Sequence, residues 1–160
     1  MNIELLKVER NNAHLEKMFP IYVSEMVGYL DPSKEKNKSI NPSEILNTFW
    51  DQCPAWAYLI IADGDVAGFC MLKHYPGESE TIDIDQYYMS SSFRRRGLGV
   101  KALAMLTKMH PGNWLIRVLK TNQGAFKFWL NAVEICIGDS YEINNENDVM
   151  HFIRFSTKDI

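Results

Sequence analysis

Phe93-Arg94-Arg95-Arg96-Gly97-Leu98-Gly99 is the stretch of this chain richest in groups that could do chemistry. Gly97 and Gly99 let the backbone turn sharply and remove side chains that would block an approaching group. The residues that follow have the apolar spacing of a helix. The first amides of a helix lack internal partners and point outward as donors. With the positive end of the helix dipole they make a seat for a phosphate or pyrophosphate. Arg94, Arg95 and Arg96 can aim further charge at the same anion. Taken alone, the residues leave two other readings open: a solvated turn, or a surface patch for any polyanion.

A second group lies just upstream, where Asp83 and Asp85 alternate in a segment ending Tyr87-Tyr88-Met89. Successive strand residues point to opposite faces, so Asp83, Asp85 and Tyr87 are expected on one face. Two acids on a mostly buried strand are costly unless they have partners or a task. They read as a base, as carboxylates that seat a cation, or as decoration of a solvated face.

The elements that must position these groups follow from periodicity. Residues 2–8 alternate weakly, as an edge strand would. Asn11 or Asn12 can cap a helix to about Gly28, with Leu15, Met18, Phe19, Tyr22, Val23 and Met26 at helical spacing. Pro20 inside it predicts a kink or break. The lysine-rich segment 31–41 reads as a mobile loop, and Asn41-Pro42-Ser43-Glu44 opens a short helix to about Asp51. Three strands follow, at 56–62, 66–74 and 81–89, joined by turns at Asp63-Gly64-Asp65 and Tyr75-Pro76-Gly77-Glu78. A helix then runs to about His110, with Leu98, Ala102, Met105, Leu106 and Met109 on one face. A strand at 114–119, a helix from Asn122 to about Val133, and two strands at 134–142 and 149–156 complete the order. A strand–helix–strand crossover within an antiparallel meander predicts an α/β fold with a mixed sheet and helices on both faces.

Composition excludes several classes. The 160 residues suit one domain, and 46% hydrophobic with 23% charged content is ordinary for a globular chain. A net charge of −3 argues against a general nucleic-acid partner. No stretch approaches the roughly 18 apolar residues of a membrane span. Met1–Arg10 holds no apolar signal core, so a cytoplasmic protein is expected. Cys53, Cys70 and Cys136 are widely separated among apolar residues and are expected to be buried thiols. The scattered His14, His74, His110 and His151 give no metal-site spacing.

Arg94-x-x-Gly97-x-Gly99 resembles the Gln/Arg-x-x-Gly-x-Gly/Ala signature of the GNAT superfamily of N-acetyltransferases. Asn122-x-x-Ala125-x-x-Phe128-Trp129 is similar to that family's second motif, Asn-x-x-Ala-x-x-Phe-Tyr. The strand order fits as well, so the resemblance covers nearly the whole chain. The arginine-rich turn, Pro111-Gly112-x-Trp114 and the Phe-Trp pair are similar to a subgroup of uncharacterised predicted acetyltransferases. The resemblance implies a single acyl-CoA N-acyltransferase domain over 1–160. Its centre would be a mixed, mostly antiparallel sheet of six to seven strands, flanked by about four helices. It implies acetyl-CoA as co-substrate, no metal, and a small-molecule or peptide amine as acceptor. Tyr88 and Met89 would meet the pantetheine arm, which lies in the gap where two parallel strands splay apart. The amides from Arg95 through Leu98 and Gly99 to Val100 would hold the pyrophosphate, and one arginine the ribose phosphate. Asn122, Phe128 and Trp129 would line the far wall, although both aromatics also read as core residues at helical spacing.

The implied reaction needs a base, because an aliphatic amine is about 99.9% protonated at neutral pH. Asp83 matches the position of the catalytic glutamate in histone-acetylating members, and Asp85 lies nearer the expected thioester. A strand bulge, common in the family, would change which of them faces the cleft. Trp129 departs from the family's tyrosine, whose hydroxyl protonates the leaving thiolate. An indole N–H is no practical proton source. Tyr87, Tyr88, Tyr141 or water would replace it, or the thiolate would leave unprotonated. The alternative is a degenerate module that holds CoA without turnover. A C-terminal edge strand could also pair across a homodimer.

Overall fold

A computed structural model describes residues 1–157; residues 158–160, the tail of the expected 1–160 domain, lie outside the description. Seven strands form one sheet in the order β1-β2-β3-β4-β5-β7-β6. In chain order these are β1 (Ile3–Val8), β2 (Ala55–Ala62), β3 (Asp65–Tyr75), β4 (Glu78–Met89), β5 (Asn113–Leu119), β6 (Tyr141–Asn144) and β7 (Met150–Ser156). Among the described residues four α-helices flank it: α1 (Ala13–Val27), α2 (Pro42–Trp50), α3 (Leu98–Met109) and α4 (Gln123–Ile137). Every neighbouring pair is antiparallel except β4 and β5, which run parallel on either side of α3. The α/β mixed sheet read from the sequence is the observed architecture.

Alternation along the central strands divides the core in two. Cys70, Leu72, Ile82, Ile84, Trp114, Ile116 and Val118 pack with Leu103 and Leu106 of α3 and Trp129, Ala132 and Val133 of α4. Phe69, Met71 and Tyr88 point the other way, onto Leu15, Phe19 and Val23 of α1 and Leu46 and Phe49 of α2. Fully burying a side chain of this size contributes about 1.5–3 kcal/mol, so both faces are firmly covered.

Local signals set most boundaries. The Asn12 side chain accepts from the Leu15 amide at 3.1 Å and starts α1. Asn41 caps α2 through the Ser43 amide at 2.9 Å, and Pro42 occupies its first position. Pro20 lies inside α1 without ending it, because buried Leu15, Phe19 and Val23 anchor the turns on both sides. The 31–41 segment contains a single 3₁₀ turn, Glu35–Asn37.

Two expectations are corrected. Residues 134–137 are helical rather than the start of a strand: α4 continues to Ile137 and stops at Gly138, whose φ is +80°. The run Ile135-Cys136-Ile137 looks strand-like, but Cys136 and Ile137 pack one helical turn beyond Ala132 and Val133 against the same core. Cys53 is exposed, in the link between α2 and β2; Cys70 is buried and Cys136 partly so. Among the described residues no helix is long and apolar enough to cross a membrane.

Candidate active site

The parallel pairing of β4 with β5 covers only Thr81↔Asn113 to Ile84↔Ile116. Beyond it the strands part, and residues 85–89 face 117–119 without a ladder between them. The cause is visible in the register of β4 with β3. Leu72 pairs with Ile84 but Met71 with Gln86, so Asp85 is an extra residue, a β-bulge that bends β4 away from β5.

The bulge also corrects the expectation that Asp83, Asp85 and Tyr87 share a face. One inserted residue reverses the parity of everything after it. Asp83 and Asp85 lie on the α1/α2 side, whereas Tyr87 packs into the α3/α4 side. There its ring meets that of Trp129 at 4.9 Å.

The two acids have different surroundings. Asp83 is fully buried and accepts two hydrogen bonds from Arg117 on β5, Nε to Oδ1 at 3.1 Å and Nη2 to Oδ2 at 2.7 Å. Burial raises its carboxyl above the ordinary value, and the guanidinium draws it back. Asp85 keeps 12% of its side chain exposed and lies 3.4 Å from Lys73 and 3.5 Å from Arg117. It opens into a cavity of about 400 Å³ between α1, α2, the 36–41 segment and the bulge. Gln86, on the same wall, accepts from the Tyr22 hydroxyl of α1.

The glycine-rich corner sits at the end of β4. Backbone bonds of the turn stop with the Arg94 amide on Ser91, and those of α3 begin with Lys101 on Gly97. The amides of residues 95–100 lie between. Arg95 and Gly97 have φ of +63° and +74°, so the chain turns back on itself before Leu98 begins the helix. A successive-amide concavity of this kind suits an anion. The arginines differ in what they do. Arg94 is tied down at the surface: its Nε donates to the Met89 carbonyl at 2.7 Å and its Nη2 to Glu25 of α1 at 2.6 Å. Arg96 lies over the Phe93 ring at 5.8 Å.

On the far side, Asn122 caps α4 by accepting from the Ala125 amide at 3.1 Å. Gly99 lies under Phe128; a Cβ there would come within 2.7 Å of the ring. The Tyr87 hydroxyl donates to the Gly99 carbonyl at 2.8 Å, and burial pushes it well above its ordinary pKa. Trp129 is 7% exposed and serves the core as well as this wall. The Tyr141 hydroxyl donates to Glu134 at 2.6 Å. The end of α1 bridges the open end of the cleft, since Glu25 holds the turn after β4 and the Tyr29 carbonyl accepts from Thr121 after β5 at 2.6 Å.

Sequence reasoning missed Arg117, Lys73 and Glu25. Arg117 had a signal: it is the lone charge in the apolar run Trp114–Leu119. Glu25 had none, because its partner Arg94 is 69 residues away, and Lys73 meets Asp85 only through the register of β3 with β4.

Residues 15–131, well over half the chain, match the acetyltransferase (GNAT) family. Among solved structures, the chain is similar to an acetyltransferase from Thermus thermophilus, with 15% identity and a TM-score of 0.71 over 98% of this chain and 97% of that one. It is also similar to PaiA N-acetyltransferase from Thermoplasma acidophilum in complex with coenzyme A (14% identity, TM-score 0.68, covering 98% and 99%). A third is the diaminobutyrate acetyltransferase EctA from Paenibacillus lautus, in complex with L-2,4-diaminobutyric acid and coenzyme A (17% identity, TM-score 0.63, covering 98% and 96%). No curated protein matches. The chain belongs to the GNAT acetyltransferase family.

Proposed function

We propose that this protein transfers an acetyl group from acetyl-CoA to a primary amine by direct nucleophilic attack. The observation that carries the reading is the joint between β4 and β5. Pairing stops at Ile84↔Ile116, and the strand that bends away runs straight into a left-handed corner with outward amides. A groove with unpaired strand edges suits the amide-bearing pantetheine arm, and the corner suits a pyrophosphate. Coenzyme A in two of the similar structures supports the same donor.

In this reading the amides of Arg95, Arg96, Gly97, Leu98, Gly99 and Val100 hold the pyrophosphate. Tyr88 and Met89 border the arm opposite Asn122 and Phe128. Arg94 acts indirectly, fixing the Met89 carbonyl and the corner against α1. Asp85 takes the proton from the bound ammonium, directly or through water, since it alone of the two acids reaches the cavity. Asp83 is a positioning residue, its oxygens committed to Arg117. The freed amine nitrogen attacks the thioester carbonyl carbon; the carbon–sulfur bond breaks, sulfur leaves as thiolate, and the nitrogen's second proton passes to water. Tyr87 is bound to Gly99, and Trp129 has no titratable hydroxyl, so neither serves as acid. A thiol with a pKa of about 8.5 leaves without one.

The same commitment of Tyr87 favours a second reading, a module that binds CoA without turnover. Thiol release from acetyl-CoA across an amine panel, with Asp85→Asn as control, separates the two. Binding of acetyl-CoA with no thiol released from any amine would sink the transferase reading.

A further inference from the structure

The cavity beside Asp85 carries charge of both signs, and from its disposition we infer that the acceptor is a small primary amine that also bears a carboxylate. The inference rests on the acetyl-transfer reading and narrows its substrate. Asp85 and Lys73 lie on the floor, Glu44 and Lys36 at the rim. Glu44 stands in the first turn of α2, where the positive end of the helix, about half a unit charge, offsets it in part. Lys36 has no such balance. It belongs to the run Lys34-Glu35-Lys36-Asn37-Lys38, whose one acid pairs with Lys38 at 3.2 Å. The mouth of the cavity therefore keeps the charge of Lys36, and on the floor the Asp85 carboxylate lies among Lys73 and Arg117 at 3.4 and 3.5 Å, so cations predominate around the site.

An acceptor whose ammonium sits at Asp85 extends its other end toward that mouth. A second ammonium there meets Lys36; a carboxylate meets it as a partner. The volume, about 400 Å³, is near the lower end of small-molecule sites and suits a molecule of amino-acid size. The apolar wall from Met26, Ile40, Ile45 and Phe49 accommodates a short carbon chain between the two charges.

The test measures kcat and KM at saturating acetyl-CoA for two matched series. One is 4-aminobutanoate, butylamine and 1,4-diaminobutane; the other is alanine and ethylamine. The expected result is a kcat/KM for the acid about tenfold or more above its plain amine in at least one series, carried mainly by KM, with the diamine poorest. Lys36→Glu, at an exposed loop position, should abolish that advantage and improve the diamine. Acids no better than plain amines in either series, or an advantage that Lys36→Glu leaves intact, would overturn the substrate assignment and spare acetyl transfer. Absence of thiol release from every amine, with acetyl-CoA bound by calorimetry, would remove the transfer reading and this inference together.

Discussion

Arg117 on β5 grips Asp83 on β4 with two hydrogen bonds at the last rungs before the strands separate. The pair spans the point where the sheet opens and fixes the geometry of the opening. Removing one member of a buried pair leaves an uncompensated charge and costs about 3–5 kcal/mol, whereas removing both costs far less. Arg117→Met strands the fully buried Asp83 and should therefore lose about that much in urea unfolding, whereas Asp83→Ala leaves Arg117 part-exposed beside Asp85 and should lose less. The double variant Asp83→Leu/Arg117→Met should recover most of the larger loss. A single variant as stable as the parent would show that the pair does not hold the joint.

Asp85 should behave in the opposite way. Its contacts with Lys73 and Arg117 are looser, at 3.4 and 3.5 Å, so Asp85→Asn should change stability little. As the proposed base it should lower kcat/KM for the amine about 100-fold or more. Unchanged turnover in a well-folded Asp85→Asn protein would remove the carboxylate from the mechanism.

Three glycines should respond in three ways to alanine. At Gly68 a Cβ would lie 2.0 Å from the Tyr88 carbonyl oxygen, so β3 and β4 must move apart, and a loss of about 2–3 kcal/mol is expected. Gly97 has open space around it but a φ of +74°, so Gly97→Ala should cost about 1–2 kcal/mol from backbone strain alone. Gly99→Ala meets the tip of the Phe128 ring, which can swing away. Its stability should change least, while affinity for acetyl-CoA falls about tenfold as the wall shifts. Thermal unfolding and calorimetry separate the three cases.

His110 supplies a pH prediction. Its Nε2 lies 2.7 Å from the Tyr58 hydroxyl, and burial, with Lys7 adding to it, holds the imidazole below its ordinary value of 6.5. The unfolded chain thus takes up a proton that the folded chain resists. This contribution to stability is complete above pH 6.5 and declines as pH falls from there through the folded value. His110→Gln should flatten the urea midpoint across about pH 5–7 relative to the parent. A parallel decline in both proteins would place the acid sensitivity elsewhere.

By itself the sequence determined the order of strands and helices, a cap at Asn11 or Asn12, the helix starts at Asn41 and Asn122, and a glycine-opened corner ahead of α3. Each of these depends on residues within a turn or two of one another. The tertiary structure alone decided the rest. The Asp85 bulge is a property of two strands in register, not of β4, and it moved Tyr87 to the opposite face from the acids. Arg117 lies 34 residues from Asp83, so no local pattern joins them. The end of α4 was settled by a core that accepts Cys136 and Ile137 in helical phase, although the two β-branched isoleucines there favour extension. Short-range chemistry writes the elements; which side chains meet across them depends on packing between distant parts of the chain.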